Sequence, residues 1–437
     1  MKTLLKNFDI LSPSEPSLRS DSTILVKDGE IEEITSETVD NESFEPDRTI
    51  NGEGRLLLPG FVNAHAHMGM TLFRGYKDDV GLDEWLKDWI WPAEEELTPE
   101  DVYWASKLAL VEAIHSGTTA VADMYFNMDQ TAKAIEETGI RGLISYGLIA
   151  EELDESGEKE LKHALDLADE WDGAADGRIN VALSPHAPYT CGDSVLEEVS
   201  RLSGARDLPI HTHISETSGE VEESYERFGV SPVERLAELG LLENPTLAAH
   251  CVHVDERDME LLKQNDVVVA HNPTSNMKLS SGAAPIDQLK QHGVKVTLGT
   301  DGPGTNNDLD FFEEMRQATF LAKLESNDPT ALPARETLKT ATAADLEQLG
   351  FSELGKIEEG ARADLIGLKR DLPYWVPEYN TVSNLVYSGK SREVDFVMAD
   401  GEVVMENGDI RTVDENEVIN KVREIGEKYE KVKENQK

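Results

Sequence analysis

Apolar positions follow two rhythms along this chain, and their order predicts its architecture. Close to the start, "STILVKDGEIEEI" reads as two short strands around Asp28-Gly29, a pair that tolerates the positive φ of a tight hairpin. Near the other end, "EVDFVMADGEVVMENGDI" repeats the device at Asp400-Gly401, and Asn407-Gly408 follows. Ends of like character, separated by a long stretch of different character, predict one small β-sandwich assembled from both termini.

Between them, strand-like apolar runs alternate with helical patterns. The runs are "RLLLPGFVNAH", "GTTAVADMY", "RGLISYGLI", "INVALSPHA", "LPIHTHISE", "TLAAHCVHV", "DVVVAHNP" and "VKVTLGTDG". Eight β-then-α units are what a (β/α)8 barrel requires, so the expected class is α/β. Among the helices, "TPEDVYWASKLALVEAIHSG" has Thr98 as its cap, Pro99 at the first helical position and Gly117 as its stop. In the tail, Val418, Val422, Ile425, Tyr429 and Val432 recur at spacings of four and three, one face of an amphipathic helix expected to dock on the barrel. The expected organisation is residues 1–59 and 356–412 for the sandwich, 60–355 for the barrel and 413–437 for the tail helix. No repeat or low-complexity linker interrupts it, and "SETVDNESFEPD" reads as a polar acidic loop.

Charge changes this picture in one respect. The 437 residues carry 86 Asp and Glu against 41 Lys and Arg, a formal net charge of -45 spread along the chain. Such a surface repels nucleic acid and anionic membranes. Its self-repulsion destabilises a compact fold in dilute buffer, whereas molar salt shrinks the screening length to ~3 Å. A halophilic, salt-adapted cytoplasm is therefore expected; an ordinary acidic enzyme would instead melt at a temperature indifferent to salt. Cys191 and Cys251 form neither a disulfide framework nor a structural zinc pattern. The start lacks the apolar run of a signal peptide, and no window approaches the roughly 18 apolar residues of a membrane span. A cytoplasmic enzyme without membrane or nucleic-acid partners is the expectation.

The ligand site of a barrel lies at the C-terminal ends of its strands, and histidines collect there. The first run ends in His65 and His67, the fourth carries His186, the fifth His211 and His213, the sixth His250 and His253, and the eighth ends at Asp301. Residues two apart on a strand share a face, so His65 and His67 both aim into the mouth. A third imidazole from the fifth strand and a carboxylate from the eighth complete an N/O shell for a borderline metal, with a position left for water. His211 and His213 have the same parity; His213, nearer the strand end and Glu216, is preferred, with Asp301 as the carboxylate. His271 reads as part of a hydrogen-bonded turn, while His115, His163 and His292 fall in helical or loop segments.

A divalent metal lowers the pKa of a bound water towards ~7, which points to hydrolysis. Attack on an aromatic carbon also needs a proton carried to a ring nitrogen, and Glu216, three residues after His213, suits that task. Asp301 can accept the water's proton and His250 can orient the nucleophile. The His-x-Glu and Pro-Cys-x-x-Cys motifs of cytidine-deaminase-type enzymes do not occur. No lysine near His186 offers a bridge to a second metal, so one ion is expected.

At these residues the sequence resembles the amidohydrolase superfamily, and within it the 5'-methylthioadenosine/S-adenosylhomocysteine deaminases. The carrying motifs are "PGFVNAHAHMGMTLFRGYKDD", "HTHISET", "AAHCVH" and "LGTDG", with "GKIEEGARADLIGL" where such chains re-enter the sandwich. The resemblance implies one Zn2+ per subunit held by His65, His67, His213 and Asp301, with Fe2+ or Mn2+ as alternatives. It implies Glu216 as proton shuttle, His250 beside the attacking water, and Glu94 and His186 as substrate contacts, Glu94 on the ribose hydroxyls. Two adjacent hydroxyls suit a carboxylate and favour a nucleoside over a free base.

Many such chains have an arginine at the third strand's end to meet the substrate tail; here Tyr146 stands there, and Arg141 lies at the strand's start. A 5'-substituted adenosine with a small apolar substituent is therefore the expected substrate, among 5'-methylthioadenosine, S-adenosylhomocysteine, 5'-deoxyadenosine and adenosine. The same scaffold serves base deaminases and triazine chlorohydrolases, and a scaffold without catalysis would lack part of the ligand set. The resemblance also implies a homo-oligomer, a dimer or tetramer.

Overall fold

In the computed structural model, which describes residues 1–15, 17–36, 44–342 and 346–436, strands from both ends of the chain share one mixed sheet. Five strands open it: β1 (Lys2–Ile10), β2 (Arg19–Lys27), β3 (Glu30–Thr35), β4 (Arg48–Asn51) and β5 (Leu56–Pro59). Its other strands are β14 (Leu365–Leu368), β15 (Val394–Ala399), β16 (Glu402–Glu406) and β17 (Asp409–Ile410), and β14 pairs antiparallel with β5. Phe8 of β1 meets Phe396 of β15 at 6.1 Å although β5 and β14 lie between their strands in the sheet. The sheet therefore curls over a core of its own that includes Leu5, Ile24, Leu365 and Met398. The acidic loop expected from residue 36 to 47 falls largely on positions 37–43, outside the described residues.

The hairpin signals are realised in the backbone. Asp28 and Gly29 have φ of 50° and 87°, Asp400 and Gly401 51° and 76°, Asn407 and Gly408 58° and 83°. The first two turns abut: a Cβ on Gly401 would lie 2.8 Å from the Gly29 Cα.

Eight parallel strands form the barrel: β6 (Phe61–Ala66), β7 (Thr118–Tyr125), β8 (Arg141–Leu148), β9 (Ile179–Pro185), β10 (Ile210–Ile214), β11 (Thr246–His250), β12 (Val268–His271) and β13 (Lys295–Leu298). Closure between β13 and β6 comes just past the last strand, where the Asp301 amide donates to the His65 carbonyl at 2.9 Å and Ala66 bridges Asp301. The first expected run is not one strand but two. It breaks at Gly60, whose amide donates to the Asp364 carbonyl, so β5 enters the terminal sheet and β6 the barrel. A side chain at Gly60 would collide with Thr119, its Cβ 2.0 Å from Oγ1. Sequence periodicity sees one apolar run because both halves are buried.

The helix Pro99–His115 begins as expected: Thr98 accepts from the Asp101 amide and Asp101 accepts from the Thr98 amide, a reciprocal cap. The tail forms the helix Glu415–Gln436, with Val418 and Tyr429 buried and Ile425 and Val432 packed against the core. No helix among the described residues is long and apolar enough to cross a membrane.

Candidate metal centre and substrate cavity

Histidines from four barrel strands converge where the sheet closes. The His65 ring lies edge-on to His67 at 4.7 Å and to His213 at 4.8 Å, with His250 at 5.5 Å. The Asp301 Oδ1 lies 3.2 Å from the His67 Nε2 and 3.6 Å from the His65 Nε2, and the His213 Nε2 lies 3.3 Å from that of His67. Donor atoms of His65, His67 and His213 fall within 4.8 Å of one another, as do those of His65, His250 and Asp301.

Hydrogen bonds on the far side of each ring set its tautomer. His67 Nδ1–H donates to the Met124 carbonyl at 2.5 Å and His213 Nδ1–H to the His186 carbonyl at 2.6 Å, leaving both Nε2 lone pairs facing inward. The His65 Nδ1 meets the His211 Nε2 at 2.8 Å, and the buried His65 Nε2 has no hydrogen-bond partner among the described residues. A buried unpartnered imidazole nitrogen is costly unless a cation takes its lone pair. Asp301 receives the Ser275 hydroxyl at 2.5 Å and that of Thr305 at 2.9 Å on Oδ2, which turns Oδ1 towards the imidazoles. The donor set thus fits a divalent metal with three nitrogens and one oxygen.

Electrostatics agree with that fit. Burial lowers the His65 imidazole to about 3 and His213 well below its ordinary value. Burial also acts downward on His67, but the adjacent Asp301 carboxylate outweighs it and raises this ring to about 9. Burial pushes Asp301 upward, yet His65 and His67 hold it well below the usual carboxylate range. An anionic carboxylate facing the proton on His67 and the lone pairs of His65 and His213 marks a place where a cation would replace that proton.

Glu216 follows β10 and is buried, its Oε2 3.7 Å from the His250 Nε2 and its Oε1 accepting from the Ser281 hydroxyl at 3.2 Å. Burial raises its pKa above the ordinary carboxyl value. Its backbone is fixed by Glu220, which accepts from the amides of Ser215 at 2.9 Å and Glu216 at 2.7 Å. His250, at φ 75°, is oriented through Nδ1 by the Asn276 Oδ1 at 2.9 Å.

Glu94 ends the short helix Trp91–Glu94 and accepts the Tyr125 hydroxyl at 2.6 Å; burial raises its pKa to about 7. Glu94, His186, Glu216, His250 and Asp301 all face one cavity. Its wall is largely apolar, from Trp85, Leu86, Trp91, Phe126 and Ile149, and among the described residues no lysine or arginine lines it.

Several expectations are revised. Tyr146 does not reach the cavity: it turns outward, its hydroxyl donating to Glu160 at 2.9 Å, and Gly147 and Ile149 line the wall instead. Alternation along β8 explains this, since neighbours face opposite sides. Arg141 sits at the other end of that strand, paired with Asp364 and Asp400. His271 is not part of the turn's hydrogen bonding; both its ring nitrogens are buried without a partner, and the Asn272 carbonyl accepts from Asn276 instead. His253 lies beyond the centre, bonded to the Ser281 carbonyl at 2.6 Å. Sequence reasoning weighed His211 only as an alternative ligand and missed Ser275, Thr305, Asn276, Ser281 and Glu220; all of these act on site residues through side-chain hydrogen bonds. Only Glu220 left a signal, as the acid three residues after the helix-capping Thr217.

The sequence model described as the amidohydrolase family matches residues 56–404. A protein of Halothermothrix orenii named 5-methylthioadenosine/S-adenosylhomocysteine deaminase is 45% identical over 432 residues, 97% of this chain and 99% of that protein. The crystal structure of an adenosine deaminase from Xanthomonas campestris with bound zinc superposes with a TM-score of 0.91 at 34% identity, covering 97% of each chain. An atrazine chlorohydrolase from Arthrobacter aurescens complexed with zinc has the same fold, with a TM-score of 0.88 at 23% identity over 97% of this chain and 100% of that one.

Proposed function

This chain belongs to the amidohydrolase family, and we propose from that premise that it is a metal-dependent deaminase converting adenosine-type nucleosides and water into inosine-type products and ammonia. The observation that carries the reading is the presence in one cavity of the His65, His67, His213 and Asp301 donors, the buried Glu216 and the half-buried Glu94.

One zinc ion per subunit is the metal of this reading, held by His65, His67, His213 and Asp301. Such an ion, when bound, lowers the pKa of a water to ~7 and so supplies a nucleophile at neutral pH. Asp301 takes the proton that the water gives up. His250 Nε2 orients the attacking oxygen towards the purine carbon bearing the amino group, held in place by Asn276. Glu216 delivers its proton to the adjacent ring nitrogen, Asp301 passes the proton taken from water to the departing amine, which leaves as ammonia, and Glu216 recovers a proton from the new hydroxyl as the carbonyl forms; its raised pKa suits a group that must both hold and release a proton. His186 contacts the base, and Glu94 accepts the ribose hydroxyls.

The apolar wall around Ile149 and Trp91, without a cation to meet a carboxylate, supports a small uncharged 5' substituent. Ammonia release from adenosine, 5'-deoxyadenosine, 5'-methylthioadenosine and S-adenosylhomocysteine, compared by kcat/KM, tests both levels. The first three are expected to exceed S-adenosylhomocysteine; turnover of free bases with none of nucleosides would overturn the nucleoside reading.

The same reading places the enzyme in a salt-rich cytoplasm, supported by the charge of -45 and two buried free cysteines. It also takes the enzyme as a homo-oligomer, a dimer or tetramer. Phe320 and Leu324, four apart on one helix and 49% and 79% exposed, support a covered face, and light scattering at high salt measures the assembly.

A further inference from the structure

We infer that the tail helix Glu415–Gln436 positions the substrate cavity: through Lys428, Tyr429 and Gln436 it holds the segment from Trp85 to Leu97, and with it Glu94, against the imidazole cluster. The inference rests on the ribose role given to Glu94 above.

The segment it grips is weak on its own. Residues 82–94 form one continuous helix whose middle, Trp85–Ile90, is π-helical and which carries Pro92 in its last turn. A helix this short is marginal by itself, and π geometry is uncommon outside functional sites. Yet this segment supplies Leu82, Trp85, Leu86, Trp91 and Glu94 to the cavity wall. The buried Trp85, Ile90 and Ala93 and the Tyr125 bond to Glu94 fix part of it, and its backbone carbonyls are held from outside.

The tail helix supplies that restraint at two backbone carbonyls that bracket Glu94. Gln436 Nε2 donates to the Trp89 carbonyl at 3.3 Å, while its Oε1 accepts the Tyr76 hydroxyl at 2.9 Å. Lys428 Nζ donates to the Glu96 carbonyl at 2.6 Å and to the Asp101 carboxylate at 2.8 Å. A cation suits the orphaned carbonyls that follow a helical turn. The Tyr429 hydroxyl donates to Asp101 at 3.0 Å, and its ring, 1% exposed, packs edge-on against Phe73 at 5.4 Å. Asp101 already caps the helix Pro99–His115, so these contacts refer Glu94 to the barrel frame. A tail that merely covered apolar surface would not need polar donors aimed at these carbonyls.

A double-mutant cycle tests the inference on the metal-loaded enzyme at high salt, with adenosine and 2',3'-dideoxyadenosine as substrates. The pair Lys428→Ala and Tyr429→Phe is expected to raise KM for adenosine about tenfold, the scale of one charge-assisted hydrogen bond. It should leave kcat within about twofold, and KM for the dideoxynucleoside nearly unchanged. On a Glu94→Gln background the same pair should have no further effect. Amide hydrogen exchange across residues 85–97 should quicken while that of the barrel strands does not. Gln436→Ala, at the helix end, provides a variant that does not endanger folding and should give a smaller rise in the same direction. Equal changes for both nucleosides, additivity with Glu94→Gln, or unaltered exchange would overturn the positioning role. If Glu94→Gln alone left the preference for adenosine intact, the ribose assignment would fail and take this inference with it.

Discussion

Asp301 shows how much of the site is decided one side chain at a time. It sits in the left-handed region at φ 60°, where a non-glycine residue is held at a cost, and its amide closes the barrel onto His65. Two hydroxyls occupy one carboxylate oxygen, and the Gly302 amide at 2.8 Å helps aim the other at the imidazoles. Two substitutions separate the roles. His65→Ala is expected to remove bound metal and turnover together while the far-ultraviolet circular dichroism and a cooperative melt persist; full metal content by atomic emission would sink the ligand assignment. Glu216→Gln should retain metal and KM but lower kcat by about 10²–10⁴-fold, the usual scale for a lost general acid–base group. The parity of His65 and His67 was legible in the chain because strand geometry is local. The choice between His211 and His213 was not, since both face one way and only the neighbouring strands show that His211 meets His65 Nδ1.

Single elements were legible where their signals are local. The three Asp-Gly and Asn-Gly turns and the cap at Thr98 form as read, because each depends on a few adjacent residues. Gly60, where the first apolar run divides between the two sheets, packs on Thr119 of the neighbouring strand β7, a partner that periodicity cannot see. Contact between the two Asp-Gly turns, far apart in sequence, belongs to the same class. Gly401→Ala forces a Cβ to 2.8 Å from Gly29 at a φ of 76°. It is expected to cost about 1–3 kcal/mol of stability, read as a lower urea midpoint with little change in kcat/KM.

At the scale of the molecule, charge governs stability in two ways. With a net charge of -45, the melting temperature should rise by several degrees between dilute buffer and molar KCl; a flat response would remove the salt-adaptation reading. Protons act through buried carboxyls outside the ligand set. Burial raises Glu314 to about 8, and Asp258 and Asp308 to about 6. Because these folded values lie above the unfolded ones, their contribution is fully present below about pH 4 and is lost as pH rises through the folded pKa. Between about pH 6 and 8 Glu314 keeps its proton only when folded, so stability should fall by up to about 1.4 kcal/mol per pH unit on its behalf. Urea titrations at pH 6 and 8.5 should show this slope, and Glu314→Gln should flatten it.

The amino-acid sequence by itself determined the alternation of strands and helices, the hairpins at both ends, the docking face of the tail and the clustering of histidines at strand ends. Each follows from periodicity or from a short motif, and so from interactions between near neighbours. Only the tertiary structure decided which donors meet, how Ser275, Thr305 and Glu220 aim Asp301 and Glu216, why Tyr146 faces away, and how the tail reaches the segment carrying Glu94. Most of those contacts join residues tens to hundreds of positions apart, and even the four-residue reaches of Thr305 to Asp301 and Glu220 to Glu216 depend on burial that no local pattern records.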